Sequence, residues 1–479
     1  MSDSRAFALR IMSRIQKAAH IQTKVIYFFL SILISAILTY ILYEPALNTA
    51  QLYVLFLLFF AVGLWVTEAI PPFAVGLMVL GFLVFAMNNY YYKIDPENVS
   101  AYYQPYVNSW SNSVIWLMLG GFFIAEAMKK AELDQVVFKL AISKFGTSPK
   151  SILLGLMLTT ALFSMFMSNT ATTAMMVASV LPFLNKNKNN PSFSRAILIG
   201  IAGAASIGGM GTIIGSPPNA VAVEALYHYG IRISFLEWMM VGIPSAIILV
   251  LIFWYFLAKR NIPNNIDIHI ELEKTKITSI YQLKYKGIVL LVLGITLLLW
   301  LTEKLHNIPA SVVSMIPITL LTMFGIITGD DVRKLPWDTL MLVAGGLALG
   351  MAIKETGLAQ FYVERIQDYE LNFFILVLFF AFITMVLSNI MSNTATATIL
   401  IPIGIILTYQ NPVVLPLVIG LSASVALFLP ISTPPNAIVY STGRVQQKDF
   451  QPGGLLIGLI GPLIISALVI LFFVYLYQI

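Results

Sequence analysis

Apolar residues run through this chain in blocks of membrane length. They occupy 25–43, 52–67, 70–87, 113–128, 151–184, 194–230, 235–258, 286–302, 308–328, 338–353, 372–408, 412–443 and 453–477. A helix of about 20 residues crosses a hydrocarbon core, and four of these runs are too long for one crossing. Each of the four is interrupted: by Ser168-Asn169-Thr170 in 151–184, by Ser216-Pro217-Pro218-Asn219 in 194–230, by Ser392-Asn393-Thr394 in 372–408, and by Ser432-Thr433-Pro434-Pro435-Asn436 in 412–443. Irregular backbone at membrane depth persists only where protein or a watery cavity satisfies its N–H and C=O groups. The pattern predicts an all-α polytopic membrane protein with 11 transmembrane helices and two re-entrant hairpins, at 151–184 and 372–408.

The interruptions are paired. Trp65-Val66-Thr67-Glu68 recurs as Trp300-Leu301-Thr302-Glu303, Leu119-Gly120-Gly121 as Ala344-Gly345-Gly346, Ser168-Asn169-Thr170-Ala171-Thr172 as Ser392-Asn393-Thr394-Ala395-Thr396, and Pro217-Pro218-Asn219 as Pro434-Pro435-Asn436. Four landmarks in one order indicate an internal duplication. The expected organisation is an N-terminal interfacial segment and first span (1–51), repeat one (52–258, with its hairpin and the broken helix 194–230), a cytoplasmic linker (259–285) and repeat two (286–479, with its hairpin and the broken helix 412–443).

Composition agrees: 58% of residues are hydrophobic and 10% charged, far from the roughly 25% charged of soluble domains. A soluble enzyme and a nucleic-acid binder are excluded. The net charge of +6 reads as topology. With the N-terminus in the cytoplasm, 23 of the 28 Lys and Arg fall on that side, as the positive-inside rule requires. The C-terminus is then outside, hairpin one enters from the cytoplasm and hairpin two from outside. Five spans per repeat make the copies inverted, an arrangement that places binding sites at the midplane of secondary transporters. No small-residue cleavage site follows 25–43, so this run reads as a retained span. Residues 2–24, 129–146 and 355–370 read as amphipathic helices lying on the membrane.

The chemistry concentrates in the interruptions. Ser, Asn and Thr cap helix N-termini, and a helix N-terminus with hydroxyl and amide donors is an anion site. Two such tips facing each other suit an anion with two carboxylates; the plainer reading is that they cap two hairpin turns. The Pro-Pro-Asn breaks free upstream carbonyls, hard oxygen ligands suited to Na⁺, although Asn219 and Asn436 can equally serve the broken backbone itself. No Asp, Glu, His, Lys or Arg lies in any interruption. Intramembrane carboxylates are candidates for a proton relay; here they are Glu68, Glu126, Glu224 and Glu303, and the matched pair Glu68 and Glu303 favours a structural role. The chain has no Cys, only four His, and none of the HExxH, GxSxG or P-loop patterns, so hydrolysis and ATP coupling have no support.

These paired Ser-Asn-Thr tips, paired Pro-Pro-Asn breaks and Trp-x-Thr-Glu openings resemble the divalent-anion/sodium symporter family, which includes the INDY-type di- and tricarboxylate transporters. The resemblance spans about residues 52–477. It implies a homodimer in the plasma membrane, surrounded by lipid, carrying C4 or C5 dicarboxylates with Na⁺ by an elevator motion of a transport domain against a scaffold. It places substrate contacts on Ser168, Asn169, Thr170, Ser392, Asn393, Thr394, Thr433 and Pro434. It places one Na⁺ site on Ser164, Ser168, Asn169 and Gly215, and a second on Ser388, Asn393 and Ser432, with backbone help near Met391. Ser388 stands where the family pattern has Thr, and Ser432 where it has Ala. A Na⁺-independent dicarboxylate exchanger of the same fold, or a carrier of citrate or sulfate, is the alternative.

Overall fold

The computed structural model describes residues 2–133, 148–263, 280–366, 372–408 and 412–476. Among these residues every regular element is a helix, as a lipid-facing backbone that must satisfy its own hydrogen bonds requires. In chain order they are α1 (Ser2–Ile41), α2 (Thr49–Thr67), α3 (Pro72–Tyr91), α4 (Val99–Val107), α5 (Ser113–Lys130), α6 (Pro149–Ser164), α7 (Asn169–Lys186), α8 (Pro191–Gly208), α9 (Pro217–His228), α10 (Phe235–Asn261) and α11 (Ile280–Leu301). There follow the short α12 (Glu303–His306), α13 (Ala310–Val313), α14 (Met315–Met323) and α15 (Gly329–Arg333), then α16 (Trp337–Glu355), α17 (Leu358–Ile366), α18 (Phe373–Ser388), α19 (Asn393–Leu407), α20 (Val414–Ser422), α21 (Pro434–Ser441) and α22 (Gln447–Ile470).

Nine segments among the described residues are long and apolar enough to cross a membrane: 21–41, 49–67, 72–91, 99–130, 191–211, 235–261, 283–301, 337–355 and 447–473. The protein is a multi-pass membrane protein. The runs expected at 308–328 and 412–443 contain shorter apolar helices, at 310–323 and 414–425. The N-terminal interfacial segment is not a separate helix. It continues into the first span as one 40-residue helix, because no Gly or Pro interrupts 2–41. Of the other amphipathic stretches, 355–370 contains α17, while most of 129–146 and of the linker 259–285 lies outside the described residues.

The chain divides into two compact units, residues 1–110 with 338–368 and residues 111–337 with 369–479. In the first, α2 packs on α1 and α3, α4 on α3, and α17 on α2. Helices α3 and α16 cross at glycines: a Cβ on Gly345 would lie 2.2 Å from Gly76 Cα. In the second, α5 crosses the α13–α14 junction at Gly120, whose Cβ would lie 2.5 Å from that of Ser314. The Gly-Gly landmark of each repeat is thus a close crossing between helices of different repeats. Both landmark tryptophans fasten the start of a following helix: Trp65 Nε1 donates to Pro72 O at 3.3 Å and Trp300 Nε1 to Ala310 O at 2.9 Å. Glu303, beside Trp300, accepts from the Ala310 and Phe235 backbone, which pulls its carboxyl down while burial, the larger effect, pushes it up. The Trp-x-Thr-Glu motif is built into helix connections.

Candidate functional site

The Ser-Asn-Thr segments begin helices. Ser168 (φ −61°, ψ 143°) and Ser392 (φ −64°, ψ 142°) are extended N-caps, and their Oγ atoms accept from Ala171 N and Ala395 N, each at 3.2 Å. Each hydroxyl therefore spends a lone pair on its cap and keeps its O–H as a donor, while the free N–H groups and positive dipole end of α7 or α19 lie at the tip. Thr170 is exposed, and Thr394 is 9% exposed. A turn of helix further on, Thr173 Oγ1 back-bonds to Asn169 O at 2.8 Å.

The Pro-Pro-Asn segments break and restart helices. After α8 the backbone makes a single 3₁₀ turn, becomes extended at Thr212 and Ser216, and restarts with Pro217 in the first turn of α9, where a missing N–H costs nothing. Asn219 Nδ2 donates to Gly209 O at 2.9 Å and Thr212 O at 2.8 Å. Its counterpart Asn436 donates to Leu427 O at 3.2 Å and Leu429 O at 2.9 Å. Both asparagines hold the carbonyls that the breaks free. Thr433 caps α21 by accepting from Asn436 N at 3.3 Å, with Pro434 next to it.

In repeat one the structure brings Ser164, Asn169 and Gly215 together. Ser164 Oγ donates to Ala205 O at 2.6 Å. Asn169 Oδ1 lies 2.7 Å from that hydroxyl, at a position 3.1 Å from Ala205 O and 3.3 Å from Gly215 O. An amide oxygen surrounded by acceptors is resolved either by turning the amide so that Nδ2 donates to them or by a cation among them. Two glycines keep this cluster compact. A Cβ on Gly209 would lie 2.4 Å from Asn169 Oδ1, and one on Gly215 would lie 2.5 Å from Gly209 O and 2.9 Å from Ser164 O. Thr212 ties the break to the hairpin, donating to Met165 O while accepting from Gly215 N at 3.1 Å.

Repeat two is built differently. Ser388 Oγ and Asn393 Oδ1 are buried with no hydrogen-bond partner among the described residues, as are the hydroxyls of Ser422 and Ser424, while the matched Thr172 and Thr396 hydroxyls are unpartnered in both repeats. Ser432 is instead bound to a residue that sequence reasoning missed. Its Oγ donates to Asn389 Oδ1 at 2.8 Å and accepts from Leu429 N at 3.0 Å, while Asn389 Oδ1 also accepts from Phe428 N at 3.0 Å. Asn389 Nδ2 is anchored on Met385 O at 2.8 Å. Asn389 thus does between hairpin two and its break what Thr212 does in repeat one. The repeat comparison could not reveal it, because its counterpart is Met165; its position next to Ser388 was the available signal.

The repeats interlock around these segments. Helix α9, after the first break, packs on α19 and α20 of repeat two, and α21, after the second break, packs on α7 and α8 of repeat one. Each tip helix therefore has the other repeat's post-break helix beside it. Neutral oxygens from side chains and broken backbone, gathered at two helix N-termini, suit a small hard cation next to an anion. Unpartnered buried oxygens are costly on their own, and a ligand that binds them removes that cost.

Several known proteins are similar to this chain. A family model described as "Citrate transporter" matches residues 62–407 and 297–479. The sodium-dependent dicarboxylate transporter SdcS of Staphylococcus saprophyticus is 31% identical over 91% of this chain and 89% of its own. That of Staphylococcus aureus strain USA300 is 31% identical over 90% and 88%. Among solved structures, the YdaH transporter of Alcanivorax borkumensis aligns with TM-score 0.58 at 13% identity, covering 83% of this chain and 97% of its own. MtrF of Neisseria gonorrhoeae aligns with TM-score 0.58 at 12% identity over 86% and 96%. At such identities the two structures speak to fold alone.

Proposed function

The chain belongs to the divalent-anion/sodium symporter family, whose members are transporters and not enzymes, and from that premise we propose that it carries C4 or C5 dicarboxylates of the succinate, malate, fumarate and 2-oxoglutarate type across the plasma membrane in symport with Na⁺. The observation that carries this reading is the set of buried, neutral oxygens at the two Ser-Asn-Thr tips. Substrate carboxylates take the free donors of Ser168, Asn169, Thr170, Ser392, Asn393 and Thr394, with Thr433 and Pro434 at the second break. One Na⁺ sits among Ser164, Ser168, Asn169 and Gly215, and a second among Ser388, Asn393 and Ser432. A dianion entering a site without Lys or Arg pays heavily in lost hydration. Helix ends offset up to about 2 kcal/mol each, and bound Na⁺ offsets much of the remainder.

In this reading the hairpins are re-entrant from opposite sides, the 310–323 helices and the broken 414–441 segment complete eleven spans, and two copies form a homodimer in which a transport domain moves as an elevator. Orientation has a direct test. The chain has no Cys, so a single cysteine reports alone. A cysteine at the exposed Lys188 is expected to react with an impermeant reagent only from the cytoplasm, and one at the exposed Asn372 only from outside. Reaction of both from one side would sink the inverted arrangement.

Coupling is tested by binding. Substrate affinity in Na⁺ is expected to exceed that in choline by roughly 5- to 150-fold, the usual range of coupling between two sites, with Na⁺ affinity raised by substrate to the same extent. One observation favours the second reading, a Na⁺-independent exchanger: Ser432 is already engaged by Asn389, which leaves the second cation site one ligand short. Equal affinities in the two buffers, with counterflow in choline, would select the exchanger.

A further inference from the structure

Glu224 is a carboxylate that the dicarboxylate and Na⁺ sites do not use. It lies on α9, two turns beyond the first Pro-Pro-Asn break, and is 2% exposed. Its partners are at the N-terminus of α5. Asn112 is the N-cap there, and its Oδ1 accepts from Val114 N at 2.9 Å. That bond fixes the amide, so Nδ2 points at Glu224 and donates to Oε1. Ser113 Oγ lies 3.4 Å from Oε2. The carboxylate therefore sits at the positive end of an 18-residue helix, with an oriented amide donor. One turn along α9, His228 Nε2 is 3.5 Å from Oε1, with its side chain 22% exposed, and so borders both the carboxylate and the protein surface.

Among the described residues, the helices packed most closely on α9 bring no charged side chain near this carboxylate. These helices are α5, α19 and α20. Helices α19 and α20 contain no Asp, Glu, His, Lys or Arg, and the charges of α5 (Glu126, Lys129 and Lys130) lie at its far end, about 20 Å away at 1.5 Å per residue. Beyond α9, Arg232 stacks on Tyr227, and Glu237 is held by Lys304 at 2.6 Å. The contact is also confined to one repeat. The position equivalent to Glu224 is Ser441, whose hydroxyl turns back onto its own helix at Ile438 O, 2.7 Å away.

We propose that Glu224 is a proton-binding site, ionised while α9 is docked on the N-terminus of α5 and protonated when α9 leaves it, so that proton occupancy sets the rate of the conformational change. The inference rests on the moving-domain reading above, with α5 and α9 taken to part in that motion although they pack in one compact unit here. A carboxylate separated from Asn112 and the α5 dipole without leaving the protein would carry an uncompensated charge, which is far costlier than taking up a proton. The proton binds Oε2, the oxygen not engaged by Asn112, and reaches it from bulk water past His228. The one-sided placement of the contact is what a latch for one end state requires.

Two readouts on the full-length protein in proteoliposomes test this. The first is the infrared C=O stretch of protonated carboxyls in a pH titration. The wild type is expected to gain a band on acidification that Glu224→Gln lacks, and identical difference spectra would overturn the proposal. The second is Na⁺-driven uptake of fumarate, which stays a dianion across the neutral range. Wild-type uptake is expected to fall with rising pH, approaching tenfold per unit as the protonated fraction falls, while Glu224→Gln is flat at the acid-limb rate. A pH profile shared by Glu224→Gln and the wild type overturns the proposal. Asn112→Asp keeps the cap acceptor for Val114 N–H, removes the donor and adds a like charge, so its band and profile should move to higher pH; an unmoved titration in that variant also counts against the site. Absence of fumarate uptake in the wild type would count against the dicarboxylate reading, and the infrared titration would still decide the proton site.

Discussion

Asn393→Ala is expected to cut Na⁺-driven dicarboxylate uptake by roughly ten- to a hundredfold while leaving thermal stability at the wild-type level. The two halves of that expectation have separate causes. Asn393 Oδ1 is buried without a partner, so truncation removes an unsatisfied acceptor and not a bond that the fold relies on. In the proposed site the same amide serves the substrate and Na⁺, and losing a buried polar partner costs about 1–3 kcal/mol, which is the stated fall in rate. Asn169→Ala is the contrasting case. Its amide lies within hydrogen-bond distance of Ser164, Ala205 and Gly215, so uptake and melting temperature should fall together. The check is uptake in proteoliposomes beside the melting temperature of the purified protein. Wild-type uptake by Asn393→Ala would remove this residue from both proposed sites.

The contrast between these two asparagines also marks how far the sequence can be read. Equal motifs gave both the same role, and at the level of backbone they are equal: each follows a serine N-cap and opens a helix. The paired Pro breaks, and the asparagines that hold their carbonyls, were legible for the same reason, since Pro, Asn and Ser impose local geometry through three or four neighbouring residues. What was not legible depends on distant or unpaired residues. Asn389 has Met165 as its counterpart, so a comparison of repeats passes over it. Asn112 and Glu224 are 112 positions apart, and nothing local to either indicates the other. The crosswise seating of α9 on α19 and of α21 on α7 follows from how the two repeats fold together, which apolar periodicity does not encode. In the N-terminal helix a change from basic to apolar composition marks no break in the backbone, because no Gly or Pro stands within 2–41.

Gly215→Ala is expected to lower Na⁺-dependent uptake by roughly ten- to a hundredfold, and it separates the two proposed cation sites. A methyl at Gly215 would come within 2.5 Å of Gly209 O and 2.9 Å of Ser164 O. Both are backbone atoms, which cannot swing aside as a side chain can, so the break and the hairpin must part. Overpacking of this kind costs about 1–3 kcal/mol, and here it displaces Ser164, a residue of the proposed first Na⁺ site, and Gly209 O, which Asn219 holds. Repeat two tolerates a side chain at the same place: Ser432 stands at the equivalent of Gly215, and its hydroxyl is accommodated by Asn389. The first site is therefore the compact one, and the substitution acts on it alone. Gly287→Ala and Gly294→Ala supply the control, because both lie in α11 with nothing within 4 Å of the added Cβ; helix propensity favours alanine there by about 0.5–1 kcal/mol, and uptake should not change. The measurement is the Na⁺ dependence of substrate binding by folded, purified protein. Gly215→Ala is expected to lose most of the wild-type gain in substrate affinity on adding Na⁺, with any residual Na⁺ response coming from repeat two. Retention of the full wild-type Na⁺ dependence would show that the cluster around Asn169 closes by turning its amide to donate, and that no cation is needed among its oxygens.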